Sequence, residues 1–366
     1  MSDAPQSPSP DRQLGDLRVR IDEVDTRLLE LLNERARLAL EVGEVKKLTN
    51  APVYRPEREA QVIARLRGLN AGPLGGDAIE AIQREVMSAC RELERRMRVA
   101  FLGPVGTYSE QALIRHFGHG VEAVACSSVD EVFRLTEAKG ADFGVVPVEN
   151  STEGAVTRPL DLMLQSPLRI SGEVTLPIRH NLLTRTGKLE GVTRICAHPQ
   201  ALAQCQGWLD RNCPGIARVP VSSNAEGARL AAEDTATAGI AGDSAALTYG
   251  LTAVASAIQD DPQNRTRFVI IGWHECTPSG ADQTSLILSV PDRAGAVHAL
   301  IEPLARHGVS MKRFESRPAR QGTWEYYFYL DLIGHEHDAQ MAPALAELKR
   351  NAAFYKVVGS YPRASS

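Results

Sequence analysis

Gly144-Val145-Val146-Pro147-Val148-Glu149-Asn150-Ser151-Thr152-Glu153-Gly154-Ala155 changes character at its midpoint. The first half is a short apolar run bounded by glycine and reads as a buried strand; Asn-Ser-Thr before Glu-Gly-Ala reads as a helix start. In an open α/β sheet, a strand that ends against a helix amino terminus is where ligands collect, because unpaired N–H groups there attract anions. An ordinary solvated cap would look the same, so spacing alone leaves both readings open.

Working outward, apolar runs at 98–102, 121–125, 143–148, 170–176, 193–197, 218–221, 238–241 and 268–273 read as strands, mostly separated by helical stretches. That alternation predicts a parallel or mixed sheet covered by helices, long enough for two lobes with a cleft between. Gly103-Pro104-Val105-Gly106 follows the first strand but lacks the endings of a nucleotide loop, and reads as a tight turn capped by Thr107 or Ser109.

The chain has 366 residues, 43% of them hydrophobic and 23% charged, a soluble composition sufficient for two or three domains. A net charge of −4 excludes a global basic field, so no nucleic-acid partner is expected and any anion must be held locally. Residues 1–11 are Ser/Pro-rich without an apolar segment and read as a disordered tail; no stretch reaches membrane-spanning length. The six cysteines show no paired spacing, which predicts reduced thiols and a cytoplasmic protein. Cys196, His198 and Cys205 lack a fourth ligand, so no metal is expected.

Near the amino end, Leu17, Ile21, Val24, Leu28, Leu31, Leu38, Val42 and Val45 form a helical seam roughly 40 Å long. Shorter helices are predicted at 56–69 and 77–97. A domain of this size cannot hide such a seam, and a dimer sharing its long helices is the simplest burial. Arg35 interrupts the seam, where a cation needs an anion. Lys46 follows eleven residues later, within about 20° of the same face, whereas Arg18 points about 100° away. Arg35 would serve a ligand or pair with an acid across the dimer.

These residues carry a resemblance. LRVRIDEVDTRLLELLNERARLALEVGEVKK with YRPEREAQV is similar to the all-helical chorismate mutases. The resemblance implies that Arg18, Arg35, Lys46, Arg58 and Glu59 bind substrate, with Arg18 reaching into the partner's site, and that Lys46 stabilises the ether oxygen of chorismate. Arg55 stands where an aspartate occurs in the family, and Cys90 and Glu94 where Ser and Gln are common. A glutamate donates a hydrogen bond only when protonated, so mutase activity is expected to fall as pH rises.

GPVGTYSEQA, GVVPVENSTEGAV, ICAHPQALAQC, AGDSAAL and NRTRFVIIG, in that order, resemble prephenate dehydratase. The fold implied is two α/β lobes like a periplasmic binding protein. The site implied comprises Thr107, Tyr108, Ser109, Glu149, Asn150, Ser151, Thr152, Asn181, His198, Gln200, Thr266, Arg267 and Phe268, with Thr266 catalytic. Arg267 is expected to fix a carboxylate, and a desolvated Glu149 competes with Thr266 as proton donor. For His198 a structural hydrogen bond is as good a reading as an acid–base role.

From 284 on, a βαββαβ pattern predicts a ferredoxin-like sandwich. It resembles the ACT regulatory domain through Met311-Lys312-Arg313-Phe314-Glu315-Ser316-Arg317-Pro318. That implies phenylalanine binding at a dimer interface, by Glu315, Ser316, Arg317, Pro318 and Gly295-Ala296-Val297. Val297 stands for a leucine, a loss of roughly 1 kcal/mol if fully buried. The chain is thus expected to be multidomain: an all-α mutase (12–97), a two-lobed α/β dehydratase (98–275) and an α+β ACT domain (282–360). It would convert chorismate to prephenate and prephenate to phenylpyruvate without a cofactor, under inhibition by phenylalanine. The alternatives are a dehydratase with a weakened mutase site and a non-catalytic small-anion sensor.

Overall fold

The computed structural model describes residues 9–49, 51–291, 293–318 and 326–364. Most of the expected tail, residues 1–8, and Trp324, expected to open a strand, lie outside the described residues. Three helices come first: α1 (Pro10–Thr49), α2 (Pro56–Leu69) and α3 (Gly76–Glu94). At 40 residues α1 is about 60 Å long, and Leu17, Ile21, Val24, Leu28 and Leu31 are each half exposed or more. Helix α3 stops at Glu94, because Arg95 is already extended, and Met97 belongs to the strand that follows rather than to the helix stripe. Its apolar side chain suits either element, so periodicity alone misplaced it.

Only two residues separate α3 from β1 (Met97–Leu102). The first lobe continues with α4 (Tyr108–Phe117), β2 (Val121–Cys126), α5 (Val129–Glu137), β3 (Phe143–Asn150), β4 (Gly154–Ala155), α6 (Thr157–Gln165) and β5 (Arg169–Pro177). The second lobe is β6 (Asn181–Thr184), β7 (Arg194–Ala197), α7 (Pro199–Gln204), α8 (Gln206–Asn212), β8 (Ala217–Pro220), α9 (Asn224–Glu233), β9 (Thr237–Ala241), α10 (Asp243–Tyr249) and β10 (Thr252–Ala255). Then β11 (Arg265–Gly272) returns to the first sheet, between β3 and β5, giving the orders β2-β1-β3-β11-β5 and β10-β6-β9-β7-β8. The chain therefore crosses between lobes twice, which leaves a cleft at the crossing.

The stretch after Asn150 is not a helix start. Asn150 Oδ1 accepts from the N–H groups of Thr152 and Glu153, closing an Asx turn; Gly154, at φ 81°, turns the chain back as β4, and α6 begins only at Thr157. A side-chain oxygen facing free N–H groups caps a turn as well as a helix, which is why the local signal is the same.

The third unit is β12 (Asp282–Ser289), α11 (Ala296–Arg306), β13 (Met311–Pro318), β14 (Tyr326–Ile333), α12 (Met341–Asn351) and β15 (Phe354–Pro362), with sheet order β13-β14-β12-β15. This is the ferredoxin-like order. Its free face packs on the first lobe through Ile287, Tyr329, Val358 and Tyr361 against Ile170 and Val269. Gly359 makes the approach possible: a Cβ there would lie 2.2 Å from the carbonyl oxygen of Ile170.

The helical unit is docked as firmly. Tyr54 is 3% exposed among Phe101, Phe117 and Phe143, its hydroxyl is 2.8 Å from His116 Nε2, and the Arg91 guanidinium covers its ring. Nearby, Glu57 pairs with Arg55 (3.0 Å) and His274 (3.1 Å), and accepts from Thr277. Burial alone would raise the Glu57 carboxyl; hydrogen bonds from His274, its own backbone and Arg55 overcome it and bring it down to about 2. A depressed carboxyl stabilises the fold above its unfolded value and loses that contribution as pH falls toward the folded one. Stability is therefore expected to drop by about 3 kcal/mol between pH 4.5 and 2 through this group, and Glu57→Gln to flatten that limb of an acid-unfolding curve.

Candidate active sites

The cleft between the lobes is a cavity of about 770 Å³. Of the expected residues it gathers Thr107, Tyr108, Ser109, Asn150, His198, Gln200, Thr266 and Phe268. Thr107 caps α4, its hydroxyl donating to Leu102 O (3.1 Å), and Tyr108 Oη donates to Arg179 O at 2.6 Å. Burial and the neighbouring Asp243 push the Tyr108 hydroxyl up, so it stays protonated.

Thr266 sits opposite Asn150 in the β3–β11 ladder. The hydrogen-bond polarity around it is fixed from the outside inward. Asn150 Oδ1 is held by two backbone N–H groups, so Nδ2 faces Thr266 Oγ1 (2.9 Å) and Asn264 Oδ1 (2.9 Å). The threonine oxygen thus receives a hydrogen bond and keeps its own proton to give.

Gln204, Asn264 and His180 extend this network and were not anticipated. Gln204 Nε2 donates to Glu153 Oε1 (3.2 Å), a group that only accepts, so its oxygen faces Asn264 Nδ2 (3.0 Å) and His180 Nε2 (3.0 Å). Hence His180 carries its proton on Nε2. Burial lowers its pKa against the Gln204 hydrogen bond, which favours the neutral ring. His198 caps α7, accepting from Gln200 N at Nδ1 (3.3 Å), which leaves Nε2 as its donor. The cleft wall also holds Ser127, Ser222, Ser223 and Asn224. Ser223-Asn224 is a plain cap signal ahead of α9, where it could have been found.

Five expected residues do not line the cavity. Glu149 and Arg267 leave their strands on the opposite face, because consecutive residues alternate: Asn150, Thr266 and Phe268 point in and their neighbours out. Arg267 instead pairs with Glu173 (2.8 Å) and Asp331 (2.6 Å), and Glu149 lies 3.7 Å from Arg267 and 3.6 Å from Arg313. Ser151 accepts from Arg265 N, Thr152 belongs to the Asx turn, and Asn181 is buried between Asp243 and the Ala257 N–H. All three are engaged in hydrogen bonds outside the lining. Among the described residues no Arg or Lys lines the cleft, so a dianion there meets N–H groups at the starts of α4 and α9 and neutral side chains.

In the helical unit, Lys46 Nζ bonds Val53 O (2.9 Å) and Glu94 Oε2 (3.1 Å). Glu94 packs on Gly43, where a Cβ would lie 3.0 Å from its Cγ. Cys90 is buried one turn before Glu94 on α3. Arg35 is half-buried, close enough for its charge to act on Glu59, which pairs with Arg91. Burial raises the Glu59 carboxyl against the pull of Arg91 and Arg84. Arg58 is exposed, and so is Arg18, about 26 Å along α1 from Arg35, too far to share its site within one chain.

On the third unit, Gly295, at φ 75°, caps α11, with Ala296 buried and Val297 partly exposed. The β13 residues divide between two faces: Glu315 and Arg317 turn toward the first lobe, where Arg317 reaches Asp161 and Thr157 O, while Ser316 and Pro318 are exposed. Among the described residues no helix is long and apolar enough to cross a membrane.

Family models match most of the chain: chorismate mutase type II over residues 17–95, prephenate dehydratase over 99–276 and the ACT domain over 284–350. A bifunctional chorismate mutase/prephenate dehydratase of Neisseria gonorrhoeae is 50% identical over 347 residues, covering 94% of this chain and 95% of that protein. One of Stutzerimonas stutzeri is 48% identical, covering 96% and 98%. The crystal structure of a prephenate dehydratase from Arthrobacter aurescens in complex with L-Phe superposes with a TM-score of 0.67 at 36% identity, over 73% of this chain and 90% of that one.

Proposed function

Since the chain belongs to the bifunctional chorismate mutase/prephenate dehydratases, we propose how its residues divide the two reactions. The mutase works between α1, α2 and α3, within boundaries we place at residues 12–97. The dehydratase works in the interlobe cleft (98–275), and the ACT domain (282–360) senses phenylalanine.

Chorismate rearranges without covalent help: its ether C–O bond breaks as a C–C bond forms, and the oxygen becomes electron-rich. Arg35 and Arg58 hold carboxylates, assisted by Arg18 of a second copy across the α1 seam. Lys46 has three N–H groups; two are used by Val53 O and Glu94, and the third faces the ether oxygen. Glu94, in protonated form, gives the second hydrogen bond, with Glu59 and Cys90 shaping the wall. The wild-type mutase rate is then expected to fall as pH rises, and the fall to vanish in Glu94→Gln. The same fall in both enzymes would remove Glu94 from this role.

Prephenate loses its ring carboxylate as CO₂; that electron pair enters the ring and expels the hydroxyl, which takes a proton and departs as water. Thr266 donates to the departing oxygen, with its own lone pair held by Asn150. A neutral anion site suits this chemistry. A guanidinium would stabilise the ground-state carboxylate, whose charge disappears in the transition state.

The observation that carries the reading is the Asn150–Thr266 pair inside the cleft of a chain matched end to end by bifunctional relatives. Phenylalanine as effector, an α1-mediated homodimer and a cytoplasmic location complete the proposal. A time course on the purified protein tests it, with chorismate and then prephenate, with and without phenylalanine. Phenylpyruvate from both substrates, suppressed by phenylalanine, is expected. Turnover of prephenate alone places the fault at Glu94 or Cys90; turnover of neither, with phenylalanine still bound, makes the protein a sensor.

A further inference from the structure

Asn150 faces Thr266 in the β3–β11 ladder, and the next pair in register is Glu149 with Arg267. The first pair points into the cleft; the second emerges on the far face, under the β12–β15 sheet. There Arg267 Nη1 meets Asp331 Oδ2 at 2.6 Å, Nη2 donates to Tyr361 Oη at 3.0 Å, and Nε bonds Glu173 Oε2 at 2.8 Å. Asp331 and Tyr361 are tied to each other through the Ser285 hydroxyl. Glu149, in turn, lies between Arg267 and Arg313, and Arg313 pairs with Glu315 on the same strand.

Both members of the cleft pair are therefore one peptide unit from a side chain anchored in the regulatory sheet. A part-buried guanidinium with three acceptors tolerates little displacement, because each lost partner leaves a largely desolvated charge. The Thr266 hydroxyl tolerates little as well, since a misplacement of about 1 Å in a reacting group costs on the order of 100-fold in rate. The purely apolar contacts of the interface, such as Ile287 and Val358, carry no charge or hydrogen bond whose displacement would have such a cost.

We propose that Glu149 and Arg267 are positioning residues that carry the state of the β13 edge through the sheet to the Asn150–Thr266 hydrogen bond, so that effector binding there turns off the hydroxyl donor. The inference rests on the assignment of the cleft as dehydratase and of the ACT domain as phenylalanine sensor. Inhibition then falls on kcat rather than on KM, because the groups that hold the substrate carboxylates are on other elements.

Full-length Arg313→Gln and Asp331→Asn are the test, assayed for prephenate turnover across a phenylalanine titration, for phenylalanine binding by calorimetry and for mutase turnover. Wild-type inhibition of about tenfold, an ordinary allosteric coupling, is expected to shrink to about twofold in variants that still bind phenylalanine. If Asp331→Asn does not fold, Ser285→Ala removes one hydrogen bond to the same carboxylate and takes its place. Inhibition of wild-type size in variants that bind phenylalanine overturns the relay, as does inhibition lost only together with binding. A wild-type protein that turns over no prephenate or binds no phenylalanine overturns the functional assignment, and the relay with it.

Discussion

Thr266→Val is expected to lower the rate of phenylpyruvate formation from prephenate by about 10²–10³-fold while leaving chorismate turnover at its wild-type value, the range for removing one oriented donor from a developing negative charge. The substitution keeps the shape and takes away the hydroxyl. It removes one acceptor of Asn150 Nδ2, which retains Asn264 Oδ1 (2.9 Å) and Arg265 O (3.2 Å), so the Asx turn holds. The loss should appear in kcat, since the carboxylates are held elsewhere. Steady-state kinetics on both substrates checks this. An unchanged dehydratase rate would move the proton donor to another cleft group, with His198 Nε2 first in line.

Lys46→Gln should do the reverse: a mutase rate lower by about 10³-fold with the dehydratase intact, because the variant loses the only full positive charge proposed beside the ether oxygen. Glu94 loses its salt-bridge partner in a side-chain environment only 8% exposed. Removing a hydrogen-bond partner from a buried carboxyl group is costly, so the variant is also expected to lose some stability. A melting curve measured beside the kinetics separates that structural cost from the catalytic one. A mutase rate within tenfold of wild type would mean that the arginines alone supply the field.

Much of this architecture was legible because it is periodic. The α1 seam and the βαββαβ succession are patterns long enough for spacing alone to register them. Short strands were harder: Asn181–Thr184 and Thr252–Ala255 are only four residues each, too brief for alternation to register. Motif resemblance found the cleft residues as a group but could not sort them. Thr266, Arg267 and Phe268 arrive as one block, yet a strand sends the middle one through the opposite face, and only the packed third domain shows what it meets there. The Gln204–His180 connection was out of reach for another reason, since it joins residues from the two sides of a lobe crossing with nothing in their spacing to relate them.

Among the described residues the dehydratase cleft is lined by no Arg or Lys, and the two halves of the enzyme should therefore respond differently to their medium. Salt screens fields from formal charges over about 10 Å at 0.1 M, whereas short hydrogen bonds from N–H groups and hydroxyls in a partly closed cleft are scarcely screened. Raising ionic strength should therefore weaken chorismate capture by the arginine-rich helical site while prephenate capture holds nearly constant. At high ionic strength the first reaction, and not the second, would then set the flux.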